Sequence, residues 1–260
     1  MNRIAQTLQQ LKTQNKKAVI PYLTPEFPIK GTTVPLILAF EQAGASLIEI
    51  GVPFSDPLAD GPTIQRSSDV AIKNGVTVKR VLQLVDEARK RTNIPLILMG
   101  YINPILNYGM EKFISDARSA GVDGLIIPDL PPEESEEFRS HSKKYGISNV
   151  FLIAPTSPDE RIRYVDTLST DFIYCVSVTG VTGARNSFGG GFEEYLARVK
   201  KNTSKPFVVG FGIKSQEQVQ NVTKYADGIV VASALIDSIG KKDNIEEIAS
   251  TAKNFLLSLV

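Results

Sequence analysis

The chain repeats one pattern eight times: a short run rich in apolar and β-branched residues, then a stretch whose apolar residues recur every three or four positions. The short runs have the length of strands, and the longer stretches have the spacing of amphipathic helices, as in Val81, Leu82, Val85 and Ala88. The predicted strands are residues 18–23, 47–51, 95–99, 124–128, 149–154, 172–176, 206–210 and 228–231. Regular alternation of strand and helix predicts a parallel sheet covered by helices.

Eight such units in 260 residues predict that the sheet closes into a (β/α)8 TIM barrel, a single domain over residues 1–260. An open doubly wound sheet is the alternative. No predicted strand is followed by the Gly-x-Gly-x-x-Gly pattern of a dinucleotide fold, which favours the barrel. Ahead of the first strand, Ile4, Leu8 and Leu11 recur at helical spacing and predict an extra N-terminal helix.

The charge and composition of the chain limit the classes of function that it can have. The 29 basic and 28 acidic residues are dispersed and leave a formal net charge of +1, so no basic surface for nucleic acid is indicated. We therefore expect small-molecule chemistry. The sequence predicts neither a membrane span nor a signal peptide. Cys175 is the only cysteine, which excludes an internal disulfide and fits a cytoplasmic location. Its position inside an apolar predicted strand indicates an inert core thiol.

The supply of catalytic side chains is limited. His141 is the only histidine and lies in a charged helical stretch, so neither a histidine-based triad nor a metal site is expected. No lysine lies inside a predicted strand, which leaves no residue for a Schiff base in the barrel. The chemistry must therefore depend on carboxyl groups, tyrosines and a bound phosphate.

Two carboxyl groups lie close together in sequence but in unlike surroundings. Glu49 falls inside the second predicted strand, and Asp60 follows on a loop broken by Pro53, Pro57 and Gly61. Burial would raise the pKa of Glu49 and keep a transferable proton on it, while Asp60 stays ionised near solvent. The pair thus predicts one acid and one base. Two ordinary alternatives stay open: Glu49 pairs with a buried arginine, or Asp60 only forms a turn.

The last strand–helix junctions carry small residues that leave backbone N–H groups accessible, a common way of binding phosphate in barrels. The sixth junction adds Thr182 and Gly183, and we expect a phosphate clamp made by Gly183, Gly212 and Ser233, with Ala232 contributing backbone only. Close helix–strand packing is the alternative reason for small residues there. The glycine-rich residues 181–192 form either a lid ordered by ligand or a plain connecting loop.

The segment over residues 47–61, L-I-E-I-G-V-P-F-S-D-P-L-A-D-G, resembles the signature of the tryptophan synthase α subunit family. Further similarities in the family's order and spacing extend the resemblance over essentially the whole chain: Tyr101-x-Asn103-Pro104, Pro128-Asp129-Leu130-Pro131, Tyr174, Gly180-Val181-Thr182-Gly183 and Phe211-Gly212-Ile213. The resemblance implies a TIM barrel that cleaves indole-3-glycerol phosphate into indole and glyceraldehyde 3-phosphate. It also implies a β subunit partner in an α-β-β-α heterotetramer, with the pyridoxal phosphate cofactor in that partner and none in this chain.

The resemblance implies roles for individual residues. Glu49 would protonate indole C3, Asp60 would hydrogen-bond the indole N–H and remove its proton as indole leaves, and Tyr174 would assist. Pro53 and Asp56 would couple the chain to the β subunit. Substrate contacts are implied for Tyr22, Tyr101, Asp129, Thr182, Gly183, Phe211, Gly212, Ala232 and Ser233.

Three positions depart from the familiar enteric enzymes, which have Phe, Arg and Gly where this chain has Tyr22, Val178 and Ala232. Tyr22 still offers an aromatic wall, Val178 removes a charge from the sixth loop, and Ala232 reduces backbone freedom beside the phosphate. Two other functions stay open. One is a stand-alone lyase that releases free indole, and the other is a non-catalytic subunit that only activates its partner.

Overall fold

The computed structural model of the chain describes residues 2–176, 191–210 and 212–259. Within these ranges the sheet has nine strands, and every pairing is parallel. The strands are β1 Ala18–Leu23, β2 Ile48–Gly51, β3 Leu96–Met99, β4 Gly124–Ile126, β5 Ser148–Val150, β6 Leu152–Ile153, β7 Ile173–Val176, β8 Phe207–Gly210 and β9 Gly228–Val231. Each predicted strand run contains at least one of them.

The sheet runs in one continuous order, β5-β4-β3-β2-β1-β9-β8-β7-β6. β5 and β6 are separated only by Phe151, whose carbonyl oxygen accepts a hydrogen bond from the backbone N–H of Tyr174. The two short strands therefore form one interrupted strand, and the order closes on itself. The TIM-barrel prediction is confirmed, and the open doubly wound sheet was the wrong alternative.

Helices follow the strands around the outside of the barrel. The described α-helices are α1 Arg3–Thr13, α2 Thr33–Gln42, α3 Pro62–Lys73, α4 Val78–Arg89, α5 Ile102–Tyr108, α6 Met110–Ala120, α7 Glu136–Tyr145, α8 Asp159–Leu168, α9 Phe192–Asn202, α10 Gln216–Thr223, α11 Ser233–Ile239 and α12 Ile245–Leu257, and a short 3-10 helix covers Pro132–Glu134. The local sequence determines where several of these helices begin or end. The Asn244 side chain accepts from the first N–H groups of α12, and Gly146 ends α7 in the left-handed conformation at φ 68°.

The buried side chains form two cores, because alternate residues of a strand face opposite sides of the sheet. Ile48 and Ile50 of β2 belong to the core between the sheet and the helices, whereas Leu47 belongs to the core inside the barrel. Ile4 and Leu8 of α1 pack against that inner core. The extra N-terminal helix is therefore confirmed, and it covers the amino-terminal end of the barrel.

Cys175 is fully buried in the outer core, and burial raises the pKa of its thiol. The prediction of a core thiol is confirmed. His141 lies in α7, as expected, but its side chain is half-buried beside Glu111 and Glu137 rather than fully solvated. Across the described residues, no helix is both long and apolar enough to cross a membrane.

Candidate active site

A cavity of about 130 Å³ opens at the carboxyl ends of the strands. The predicted site residues that line it are Tyr22, Glu49, Asp60, Tyr174, Gly212, Ala232 and Ser233. A larger opening of about 880 Å³ lies at the other end of the barrel, among α6, α7 and α8, but no predicted site residue lines it. Because barrel enzymes work at the carboxyl ends of their strands, the smaller cavity is the candidate active site.

Glu49 lies in β2 with its side chain directed into the barrel, and the residue is 1% exposed. Neither of its carboxyl oxygens has a hydrogen-bond partner among the described residues. Removal from water, with a smaller contribution from the negative charge of Asp60, raises the Glu49 pKa from 4.5 to about 8. At neutral pH this carboxyl group therefore holds a proton that no described side chain shares.

A buried arginine was the ordinary alternative for Glu49. Two arginines at the amino-terminal end of the barrel instead form ion pairs with Asp123, which is buried. Arg3 Nη1 lies 2.9 Å from Asp123 Oδ1, and Arg89 Nη2 lies 3.0 Å from Asp123 Oδ2. Glu49 forms no such pair with any arginine in the described part of the chain, which disfavours the arginine alternative.

Asp60 lies on the loop between β2 and α3, and its carboxyl group is held by a tyrosine. The Tyr101 hydroxyl donates a hydrogen bond of 3.0 Å to Asp60 Oδ2 and accepts one of 3.0 Å from the backbone N–H of Ala59. Burial raises the Asp60 pKa from 3.8 to about 6, and the hydrogen bond from Tyr101 opposes that rise. Asp60 is therefore mostly ionised at neutral pH, unlike Glu49.

The backbone of Asp60 does lie in a turn, because its N–H donates to the carbonyl of Pro57 and Gly61 begins α3 as the N-cap residue. Its side chain nonetheless lines the cavity together with Glu49. The turn alternative thus describes the backbone correctly and leaves the carboxyl group available for chemistry.

Tyr22 and Tyr174 supply two phenol groups in the same cavity. Tyr22 is the register partner of Glu49 across β1 and β2. Its hydroxyl lies over Gly51, and the Tyr174 hydroxyl lies over Gly210. A Cβ atom at either glycine would clash with the tyrosine oxygen, so both positions need a residue without a side chain. Burial raises both phenol pKa values, as do the nearby carboxyl groups, so both hydroxyls stay protonated as hydrogen-bond donors.

At the phosphate side, Gly212, Ala232 and Ser233 line the cavity, and Ser233 is the first residue of α11. Thr182, Gly183, Val178 and Phe211 lie outside the described residues, as does all of the glycine-rich segment except Gly191 and Phe192. Three members of the expected clamp are thus brought together, and the remaining members stay predictions.

Asp129 is placed differently from the other predicted contacts. Its Oδ1 accepts a 2.9 Å hydrogen bond from the backbone N–H of Ile102, at the start of α5, and it is not among the residues that line the cavity. The acidic side chain thereby stabilises the N-terminal turn of that helix. A substrate contact by Asp129 stays a prediction.

The loop after β2 carries the predicted coupling residues Pro53, which is half-buried, and Asp56, which is exposed. Phe54 in this loop is half-buried, and the centroid of its ring lies 5.4 Å from that of Tyr101. Since Tyr101 also donates to Asp60, the loop is connected to the Asp60 carboxyl group through one shared side chain. Leu58, at 87% exposure, is the most exposed large apolar side chain among the described residues.

Sequence reasoning missed most of the apolar wall of the cavity. The additional lining residues are Ala59, Ile64, Met99, Pro128, Leu152, Val176, Gly210 and Val230. Several end a strand, so the rule that barrel sites form at strand ends was the available signal. Among the described residues, no group of three or more His, Cys, Asp or Glu side chains could hold a metal ion.

A cavity at the carboxyl ends of the strands, lined by two unlike carboxyl groups, is typical of the class of TIM-barrel enzymes. Residues 8–258 match the family model described as tryptophan synthase alpha chain. The tryptophan synthase alpha chain of Chlorobium phaeobacteroides is 47% identical over 267 aligned residues, covering 99% of this chain and 98% of that protein. The chain belongs to the tryptophan synthase alpha chain family and is an enzyme subunit of the lyase type.

Solved structures show the same similarity. The tryptophan synthase subunit alpha of Legionella pneumophila superposes with a TM-score of 0.89 at 36% identity, covering 100% of this chain and 97% of that chain. A chain of the tryptophan synthase complex of Pyrococcus furiosus superposes with a TM-score of 0.86 at 38% identity, covering 93% of this chain and 97% of that chain.

Proposed function

We propose that this chain cleaves indole-3-glycerol phosphate into indole and glyceraldehyde 3-phosphate and passes the indole to a β subunit. One observation carries the proposal: Glu49 is buried in the same cavity as Asp60, and neither of its carboxyl oxygens has a hydrogen-bond partner among the described residues. One carboxyl group is set to give a proton and the other to accept one, which is the pair that this cleavage requires. Membership of the family supports the choice of substrate.

The first step needs an electron sink, because the electrons of the breaking carbon–carbon bond must move into the substrate. Protonation of indole C3 turns the ring nitrogen into a cationic iminium, which serves as that sink. Glu49, with a pKa of about 8, still holds its proton at neutral pH and is the donor. The substrate's own ring thus replaces the Schiff base that a barrel lysine would otherwise supply.

Asp60 stabilises the charge that develops on the ring nitrogen. With a pKa of about 6 it is ionised at neutral pH, so it accepts a strong hydrogen bond from the indole N–H and shares that proton while the ring is cationic. Tyr101 donates to one carboxyl oxygen and leaves the other for substrate. Neutral indole carries an N–H, so the nitrogen keeps its proton when the bonding electrons return to the ring, and the removal of that proton by Asp60 that the resemblance implied is not required.

The second step removes the proton of the glycerol hydroxyl next to the breaking bond. Glu49 is a carboxylate after the first step, so it can take this proton and return to its starting state. The hydroxyl becomes the aldehyde of glyceraldehyde 3-phosphate, and the released electron pair forms neutral indole. Tyr174 stays protonated and can donate a hydrogen bond to the same hydroxyl oxygen.

The phosphate end of the substrate fits the side of the cavity formed by Gly212, Ala232 and Ser233. Binding there would hold the indole ring between the carboxyl groups, so that remote contacts contribute to turnover as well as to affinity. No cofactor is needed in this chain for these steps. A cytoplasmic location stays a prediction.

The proposed partner is a tryptophan synthase β subunit, with pyridoxal phosphate bound in that partner, in an α-β-β-α assembly. The Pyrococcus furiosus structure that this chain resembles is described as a tryptophan synthase complex. The loop with Pro53 and Asp56 offers the coupling route, because Phe54 in the same loop packs on Tyr101.

The test is indole release from indole-3-glycerol phosphate by the pure chain, measured alone and with a β subunit. We expect slow release alone and strong stimulation by the partner. Glu49→Gln should abolish release, while Glu137→Gln, an exposed carboxyl group on α7, should leave it unchanged. Fast release that the β subunit does not change would support the stand-alone lyase, and no release under either condition would support the non-catalytic subunit.

A further inference from the structure

Behind the active site, two buried hydroxyl groups join the end of β1 to α3. Thr24 Oγ1 and Ser67 Oγ are 2.7 Å apart, and the two residues are 1% and 0% exposed. Ser67 Oγ also lies 2.8 Å from the carbonyl oxygen of Ile64, to which it donates. A hydroxyl has one proton to donate, so with the Ser67 proton on the Ile64 carbonyl, Thr24 is the donor to Ser67. The Thr24 hydroxyl also forms a side-chain hydrogen bond with Tyr22, which lines the cavity.

The first turn of α3 in turn holds the backbone of Asp60. The side chain of Gln65 donates from Nε2 to the carbonyl oxygen of Asp60 at 2.8 Å, and its backbone N–H donates to the carbonyl of Gly61 at 2.9 Å. Ile64 in the same turn lines the cavity. A shift of this turn would therefore move Asp60 and one apolar wall of the cavity together.

The outer side of α3 has a weaker attachment. Arg66 forms an ion pair with Asp237 of α11 at 2.6 Å, but the two side chains are 57% and 53% exposed. Exposed ion pairs contribute little to positioning because water and salt compete with them. The buried bond between Thr24 and Ser67 is thus the stronger polar attachment of the two.

We propose that Thr24 is a positioning residue: its hydrogen bond to Ser67 fixes the first turn of α3 against β1 and so sets the place of Asp60 relative to Glu49. β1 can provide this fixed reference because Tyr22, two residues before Thr24, is the register partner of Glu49 in β2. A hydrogen bond has a preferred direction, whereas an apolar contact allows sliding. The inference rests on the proposed function, in which both carboxyl groups must reach one indole ring.

Thr24→Val tests this, because valine keeps the shape and removes the donor. We expect kcat for indole release to fall about 10-fold with KM within about twofold of wild type, as for a small displacement of a reacting group. Thr24→Ser keeps the hydroxyl and should restore kcat to within about twofold. The double variant Thr24→Val/Ser67→Ala should be no slower than Thr24→Val, because the two side chains act through one bond.

A second readout follows the titration of Asp60. Within the described residues, Asp60 faces Glu49, Tyr22, Tyr101 and Tyr174. Burial raises its pKa to about 6, so a loosened turn that admits water should lower the pKa toward its ordinary value. The acid limb of kcat/KM and the carboxyl ¹³C NMR titration of Asp60 should both move to lower pH in Thr24→Val and stay in place in Thr24→Ser.

Ser142→Ala is the matched control. Ser142 is also fully buried, and its hydroxyl donates to the carbonyl of Phe138 in α7 at 2.8 Å, away from the cavity. It should lower the unfolding midpoint while kcat and the acid limb stay at wild-type values. The positioning role is refuted if Thr24→Val, like Ser142→Ala, keeps the wild-type kcat and acid limb. It is also refuted if kcat of Thr24→Ser is as low as that of Thr24→Val.

The two proposals fail in different ways. A wild-type chain that releases no indole refutes the proposed function. An Asp60 NMR titration that is the same in Thr24→Val and wild type refutes the role of Thr24, whatever the activity of either protein.

Discussion

Glu49→Gln should make the protein inactive and, above about pH 5, more stable than wild type. The reason is the burial of the carboxyl group, with a smaller contribution from the charge of Asp60, which holds the Glu49 pKa at about 8 instead of 4.5. Below pH 4.5 the folded and unfolded chains both keep the proton. Between pH 4.5 and 8 only the unfolded chain releases it, so the free energy of unfolding of the wild type falls as the pH rises.

The size of the effect follows from the same values. One pH unit of pKa difference corresponds to about 1.4 kcal/mol, so a shift from 4.5 to about 8 corresponds to about 5 kcal/mol in full. Glutamine has a similar shape and does not titrate. The stability advantage of the variant should therefore grow across this window and level off above about pH 8.

Urea unfolding of both proteins at several pH values from about 5 to 9 measures this difference. Asp56→Asn is the control, because it removes an exposed carboxyl group from the neighbouring loop and should leave the wild-type trend unchanged. Parallel curves for wild type and Glu49→Gln would refute the reasoning, since they would mean that burial does not keep the proton on Glu49.

Four further predictions concern activity, coupling to the partner and the thiol. The pH dependence of kcat/KM should be bell-shaped, with an acid limb near 6 from Asp60 and a basic limb near 8 from Glu49, and a flat profile would contradict the roles of both groups. Tyr101→Phe removes the hydrogen bond that lowers the Asp60 pKa, so the acid limb should move to higher pH in the same assay. Leu58→Ala should leave indole release by the isolated chain unchanged and reduce its stimulation by the β subunit several-fold, because an apolar side chain that is 87% exposed fits a partner contact. Cys175 should react with a thiol reagent only as fast as the protein unfolds, and rapid labelling of the native protein would contradict its buried position.

The sequence was sufficient to predict the barrel fold and the two carboxyl groups that line its cavity. A charged residue between Ile48 and Ile50 is informative because a strand buried on both faces leaves it no route to water. The period of two then assigns Glu49 to the inner face with Leu47, which the structure confirms. These conclusions depend only on neighbouring residues, so one sequence can supply them.

Contacts between distant loops were not predictable in the same way. The hydrogen bond from Tyr101 to Asp60 joins residues 41 positions apart, and it forms only because the loops after β2 and β3 meet at the barrel rim. Asp129 follows β4 much as Asp60 follows β2, yet it binds the N-terminus of α5. Which acid faces the cavity depends on the backbone path of each loop, and strand periodicity carries no information about that path.

The uncompensated acid on β2 has an evolutionary consequence. By the same reasoning, a glutamine at position 49 would make the fold more stable, so selection for stability alone would remove the carboxyl group that the proposed cleavage requires. Additional stability would have to come from other features, such as helix ends, surface charges and loop lengths. Substitutions that stabilise the fold should therefore be sought away from the mouth of the barrel.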